Sequence, residues 1–193
     1  MNYHFFAYLS RMKYILRWGL MRNTIPENVM EHSMQAAMFA HAIALIGKER
    51  YGKTYDAQHI MALALYHDAS EVITGDLPTP VKNNNPAIKM EYNKIADVAA
   101  QRLLNMLPED LKPHYKRLIS PDESSNEWHI VKAADRICAY VKCLEESKVG
   151  NREFTEAQVG ILNSIQAIEL PEVKDFMREF VPGFAMSLDQ IST

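Results

Sequence analysis

An all-α, single-domain fold is what this sequence predicts, on three observations. Apolar residues recur at three- and four-residue spacing along most of the 193 residues, only 7 glycines interrupt them, and no segment alternates like a half-buried strand. A chain of residues 1–193 buries one substantial core but falls short of two ordinary domains. Its 48% hydrophobic and 23% charged residues are those of a globular protein, not a disordered one.

The first helix is expected near residues 4–16, with Phe5, Leu9, Met12 and Leu16 on one face and Arg17-Trp18-Gly19 breaking the pattern. A second follows Pro26 and carries His32 in its first turns. Val29, Met34, Ala37, Phe39, Ala40, Ile43 and Leu45 line it, up to a breaker stretch from Gly47 to Gly52. The third starts at the N-cap candidate Asp56 and runs through Ile60, Leu63, Ala64 and Leu65 into His67-Asp68-Ala69-Ser70-Glu71-Val72-Ile73, until Gly75 ends it. With two prolines, Gly75-Asp76-Leu77-Pro78-Thr79-Pro80 reads as an irregular loop of restricted freedom. Further helices are expected over residues 86–107, 109–119, 127–149 and 155–169, and a short one over 172–180. Ser124 and Glu127 stand at capping-box spacing ahead of the helix at 127–149.

A net charge of −3 without a long basic run leaves no electrostatic footprint for a nucleic acid polymer. Polar and charged residues at Asn2, His4, Ser10, Arg11 and Lys13 break up the N-terminus, which fits neither a signal peptide nor a membrane span. The cytoplasm is the expected compartment, and Cys138 and Cys143 are expected to be buried thiols there. The 11 methionines read as core filler.

Chemistry enters with an ordered set of four side chains. His32 precedes the adjacent pair His67-Asp68 by 35 residues, and Asp135 follows that pair by 67, inside the apolar run Ile130-Val131-Lys132-Ala133-Ala134-Asp135-Arg136-Ile137. Neighbours on a helix diverge by about 100°, so His67 and Asp68 can serve one ion only where a helix end or groove lets them converge. A carboxylate among alanines and isoleucines is costly unless it meets a cation, which a metal, Arg136 or a lysine would supply. Two imidazoles and two carboxylates form an N2O2 set suited to divalent transition ions, with room for water or phosphate. His4, His41, His59, His114 and His129 read as packing or surface residues.

The order His32, His67-Asp68, Asp135 resembles the HD-domain superfamily of metal-dependent phosphohydrolases. The words around it, Arg17-Trp18, Glu27-Asn28-Val29-Met30-Glu31-His32-Ser33, Tyr66-His67-Asp68-Ala69-Ser70-Glu71 and Thr74-Gly75-Asp76-Leu77-Pro78-Thr79-Pro80-Val81-Lys82, are similar to the bacterial 5′-deoxynucleotidase family. The similarity runs over nearly the whole chain, through Phe180-Val181-Pro182 and Ser187-Leu188-Asp189, with no departure at a motif position. It implies an all-helical HD-domain fold, a cytoplasmic homodimer, and release of phosphate from deoxyribonucleoside 5′-monophosphates. It also implies one divalent ion per chain, held by His32, His67, Asp68 and Asp135. Cobalt is the ion the resemblance favours; manganese, zinc or another transition ion suits the same donors.

The same resemblance gives roles to the neighbours. Glu71, four residues after His67, becomes the proton-transfer group; without the resemblance it reads as a solvated glutamate at a helix C-terminus. Arg17 can grip a phosphate with paired hydrogen bonds, and Trp18 offers a flat apolar plate. The family uses this pair to orient the phosphate and crowd a ribose 2′-hydroxyl, whereas the residues alone read equally as a helix end with a buried indole. Asp76, Leu77, Pro78 and Thr79 become a preformed nucleotide-binding wall or a plain rigid connector. His32, Asp68 and Asp135 are implied to touch substrate as well as metal. Thr24, Glu27, Asn28 and Glu31 read either as partners that fix the His32 tautomer or as helix caps. Two other readings stay open: a different HD phosphohydrolase, such as a cyclic-nucleotide phosphodiesterase or triphosphohydrolase, and a non-catalytic protein with a structural metal.

Overall fold

A computed structural model describes residues 2–82 and 85–192, and helices account for its architecture. The chain opens with α1 (Phe5–Leu9), which tightens into a 3-10 turn at Ser10–Tyr14. Phe5, Leu9 and Met12 are buried as the spacing predicts, but the expected continuation to residue 16 fails. Ile15 turns extended, its carbonyl accepts from the Val29 amide at 3.0 Å, and Leu16 forms an antiparallel bridge with Asn28. Leu16 is consequently 61% exposed rather than on the apolar face.

Helix α2 (Val29–Tyr51) is the centre of the molecule. Asn28 caps it by accepting from the Glu31 amide, and the Glu31 carboxylate returns the bond to the Asn28 amide. The helix passes through Gly47 and stops at Gly52, whose φ of 64° is the left-handed conformation that suits glycine. Gly47 is therefore no breaker. A Cβ there would lie 2.7 Å from the Tyr55 ring, so the glycine lets Tyr55 press against the helix.

Helix α3 (Ala57–Tyr66), capped by Asp56, ends seven residues earlier than expected, and residues 67–70 form a turn before the single-turn helix α4 (Glu71–Thr74). The expected loop after Gly75 contains another single turn, α5 (Thr79–Lys82). Helices α6 (Pro86–Leu104), α7 (Lys112–Ile119), α8 (Asn126–Lys148), α9 (Thr155–Gln166) and α10 (Pro171–Glu179) match the expected elements with shifted ends, and α11 (Leu188–Ile191) is added. The cap of α8 is Ser125, which accepts from the Trp128 amide; Ser124 instead donates its hydroxyl to Asp122.

Helix α2 packs against α3, α8 and α10, and α8 packs in turn on α9. Its buried face, including Ala36, Ala40, Ile43 and Ala44, meets Ile60 and Leu63 of α3 and Ile130, Ile137 and Val141 of α8 in one main core. Burying a side chain such as Ile43 or Ile137 contributes about 1.5–3 kcal/mol. A second cluster gathers Phe5, Leu9, Met12, Val29, Ala69, Leu103 and Leu104. Ala69, fully buried there, pins the turn between α3 and α4. Among the described residues no helix is long and apolar enough to cross a membrane.

Candidate metal centre

The HD pair lies at the C-terminal end of α3, in a turn rather than inside the helix. Through residues 66–71 the backbone bonds run three residues apart, Ala69 to Tyr66 at 3.0 Å and Glu71 to Asp68 at 3.0 Å, which winds the chain more tightly than an α-helix. His67 Nε2 and Asp68 Oδ2 nonetheless come within 3.0 Å of each other across this turn. The His67 Nδ1–H donates to the Ala64 carbonyl at 2.6 Å, an oxygen that can only accept, and this makes Nε2 the nitrogen that faces the site.

His32 enters from the first turns of α2, and Asp135 from the middle of α8. His32 Nε2 lies 3.1 Å from Asp135 Oδ1 and 3.6 Å from Asp68 Oδ2; His67 Nε2 lies 3.0 Å from Asp68 Oδ2 and 3.8 Å from Asp135 Oδ1. Ligand atoms of His32, His67 and Asp135 all fall within 4.8 Å of one another, a spacing that can hold one ion. Despite these short separations, His32 Nδ1, His32 Nε2 and His67 Nε2 are buried without a hydrogen-bond partner. Unpaired polar nitrogens in a core are costly, and a cation at their common focus would satisfy both Nε2 atoms. The donor set fits a divalent ion.

Electrostatics agree. Burial opposes charge on Asp68 and Asp135, yet His67 lowers the first and Lys132 with the two imidazoles holds the second well below the carboxylate range. Burial would likewise lower the His67 imidazole, but Asp68 and Asp135 outweigh it and raise it to about 10. The pocket is thus anionic and demands positive charge. Lys132, one turn before Asp135, supplies some of it through an ion pair to Asp135 Oδ2. Of the partners open to Asp135, the lysine is the one used.

The remaining expected residues surround this focus. Arg17 donates from Nη1 to Asp68 Oδ2 at 3.5 Å and from Nε to Glu27 Oε2 at 3.2 Å. Trp18 donates its indole N–H to the same Glu27 oxygen at 3.0 Å and sets its ring edge-on to Phe154, centroids 5.3 Å apart. Half-buried, it is no buried indole at a helix end. Its φ of 60° is a conformation that costs a bulky residue about 1–3 kcal/mol.

Glu71 is buried at the start of α4, not solvated at a helix C-terminus, and its Oε2 has no partner. Burial, and then Asp68 and Asp76, push its carboxyl up to about 9 against the pull of Arg17 and His67. Burial also raises Asp76. Leu77 and Pro78 are half-buried and Thr79 is exposed.

None of the four residues before His32 hydrogen-bonds that ring. Thr24 bonds Glu146, Asn28 and Glu31 cap α2, and Glu27 holds Arg17 and Trp18. Tyr92 of α6, over whose ring Lys82 Nζ sits at 4.7 Å, is a further neighbour, with a phenol raised by burial and by Glu71 and Asp68. Lys132 carried a legible signal in its i−3 spacing from Asp135. Glu27 was legible only as a neighbour of His32, not as the partner of Arg17 and Trp18, and Tyr92 carried no signal.

The family model described as 5′-deoxynucleotidase YfbR-like matches residues 4–184. The chain belongs to the YfbR-like 5′-deoxynucleotidase family. A 5′-deoxynucleotidase of Yersinia pseudotuberculosis is 51% identical over 190 residues, covering 98% of this chain and 96% of its own length. One from Yersinia pestis is 50% identical over the same extent. Among solved structures, an HD-domain phosphohydrolase from Listeria innocua superposes with a TM-score of 0.78 at 25% identity, over 98% of this chain and 92% of its own. A cyanophage S-2L HD phosphohydrolase, bound to dA and one catalytic Zn2+ ion, shares the fold with a TM-score of 0.64 at 18% identity, over 92% of this chain and 95% of its own. This YfbR-like chain is accordingly a hydrolase with the HD-domain phosphohydrolase fold.

Proposed function

We propose that this enzyme releases inorganic phosphate from deoxyribonucleoside 5′-monophosphates, with one divalent ion held by His32, His67, Asp68 and Asp135. The observation that carries the reading is the meeting of two partnerless imidazole nitrogens with two ionised carboxylates, Arg17 beside them. The substrate class comes from the names of relatives about half identical over nearly the full chain.

When bound, the ion supplies Lewis acidity, which polarises phosphoryl oxygens and makes a water more acidic. The protein's own groups do the rest. Arg17, rigid and always charged, grips the phosphate and offsets charge as the ester bond breaks. Glu71, in a site that favours its neutral form, exchanges a proton with the attacking water or the leaving oxygen. Trp18 walls the sugar and leaves an added 2′-hydroxyl no room and no partner. Asp76, Leu77, Pro78 and Thr79 close the nucleotide side, and His32, Asp68 and Asp135 contact substrate through the same centre.

Cobalt is the ion proposed on the family resemblance; the imidazole and carboxylate donors equally admit manganese and zinc, the alternatives to measure. The cytoplasm is the proposed compartment, consistent with two buried free thiols, Cys138 and Cys143. A homodimer belongs to the same reading, and Met30, Met34 and Met38 at four-residue spacing on α2, exposed rather than filling the core as their type suggested, offer an apolar row for a second copy to cover. Phosphate release by cobalt-loaded protein from dAMP and AMP tests the proposal. Faster release from dAMP is expected; equal rates would remove the selectivity, and release from neither would remove the nucleotidase reading.

A further inference from the structure

We infer that Glu27 is the positioning residue of the substrate-binding wall: one carboxylate oxygen accepts from both Arg17 Nε and Trp18 Nε1 and thereby fixes the phosphate grip and the sugar-facing plate as one unit. The inference rests on the roles proposed above for Arg17 and Trp18. Its observations are geometric. Glu27 Oε2 is 3.2 Å from Arg17 Nε and 3.0 Å from Trp18 Nε1, and the Glu27 carbonyl accepts from the Arg17 amide at 2.9 Å. Three hydrogen bonds from one residue thus reach two consecutive residues on the far side of a loop.

What they hold does not hold itself. Trp18 sits at φ 60°, where an aromatic residue persists only if its surroundings insist on it. Phe154 steadies the ring by an edge contact, but a ring edge sets no rotation, whereas the indole N–H bond does. Arg17 has several rotatable bonds. Engaging Nε on Glu27 turns the guanidinium so that Nη1 points to Asp68, at the rim of the metal centre. Glu27 is almost as enclosed as Arg17, with side chains 14% and 13% exposed, so the charge-assisted bonds form with little water to compete.

The loop's attachment to the rest of the molecule is separate. The Leu16–Asn28 bridge closes it, and Glu146 of α8 tethers it by accepting from the Thr24 amide at 3.1 Å and the Ile25 amide at 3.2 Å. Replacing Glu27 therefore loosens the two side chains without detaching the loop. This separates positioning from folding.

The experiment compares wild type, Glu27→Gln and Glu27→Ala as full-length, cobalt-loaded protein. For Glu27→Ala the ratio of kcat/KM for dAMP over AMP is expected to fall about tenfold, the discrimination a shaped pocket supplies. KM for dAMP rises more than kcat drops, and bound metal per chain is unchanged. The amide oxygen of Glu27→Gln keeps one acceptor, so its ratio falls less. Should Glu27→Ala fail to fold, Glu27→Gln carries the same test. A ratio and KM within twofold of wild type in the folded variants would overturn the inference. A second readout needs no turnover: in a Trp128→Phe background the emission of Trp18 should move to the red and quench more readily on Glu27→Ala. If wild type shows no preference for dAMP, the functional reading fails, and this emission alone decides for or against Glu27 as the holder of Trp18.

Discussion

The Nδ1–H of His67 donates to the carbonyl of Ala64, three residues back, at 2.6 Å. This bond keeps a proton on Nδ1, so Nε2 is the nitrogen turned to the site, and a bound cation would replace the second proton that Asp68 and Asp135 favour there. His67→Ala should weaken cobalt affinity by more than the roughly 10–100-fold that loss of an outer partner costs. Titration calorimetry on chelator-stripped protein measures it. His129→Ala, an exposed histidine on α8, is the control expected to bind as wild type does. Undiminished affinity in His67→Ala would strike His67 from the ligand set.

Glu71 has a measurable thermodynamic signature in the metal-free protein. Its folded carboxyl, near 9, lies above the ordinary value of 4.5, so between these limits the folded state holds a proton that the unfolded state has released. Stability from this group is complete below about pH 4.5 and is lost as pH rises toward 9. Urea unfolding of chelator-stripped protein at several pH values should show Glu71→Gln losing less stability than wild type as pH rises. Parallel pH profiles would contradict it. The same variant, reloaded with cobalt, should keep its metal and lose turnover by about 10²–10⁴-fold, the reach of general acid–base catalysis.

Glu146 behaves in the opposite sense. Fully buried, it is bonded to Lys142, Thr24, Ile25 and Asn151, and these partners hold its carboxyl below the usual value of 4.5 against the push of burial. Its contribution is present above pH 4.5 and is lost on acidification below it. Glu146→Ala strands the Lys142 ammonium in the core and should cost about 3–5 kcal/mol. The double variant Lys142→Met, Glu146→Leu should cost less, because no charge is left alone. Chemical denaturation distinguishes the two, and equal losses would deny the pairing.

Gly47→Ala is expected to destabilise, although alanine is the better helix former by about 1 kcal/mol. The new methyl would meet the Tyr55 ring at 2.7 Å, and that ring cannot swing freely because its hydroxyl donates to Glu172 at 2.7 Å. Overpacking of this kind costs about 1–3 kcal/mol, so thermal melting should fall by several degrees. A melting point at or above wild type would show that Tyr55 yields.

Legibility in the sequence followed the range of the forces involved. Most of the stripe on α2 and the ordered set His32, His67, Asp68, Asp135 could be read because periodicity and residue type are local properties, although Met34 and Leu45 of that stripe face outward. That α3 stops at Tyr66 could not, since residues 57–73 keep their apolar rhythm across the break and the plug beneath it, Ala69, is set by Phe5 and Val29 from elsewhere in the chain. Leu16 suited an apolar face by type yet was drawn out by pairing with Asn28. Gly47 read as a breaker because Tyr55 is invisible to helix propensity. Glu27 stands ten residues from Arg17, and only the folded loop brings their side chains together.

The bridge between Leu16 and Asn28 makes residues 17–27 a closed excursion with both ends clamped on the helical frame, while His32, His67, Asp68 and Asp135 all lie outside it. Closing such an excursion costs only about 0.6 kcal/mol more for each doubling of its length. Insertions and exchanges there leave in place the proposed ligands on α2, α8 and the turn after α3. On the roles proposed above, sugar selectivity can diverge by exchanges around Trp18 within this one short stretch, provided that Arg17 and its partner Glu27 are kept.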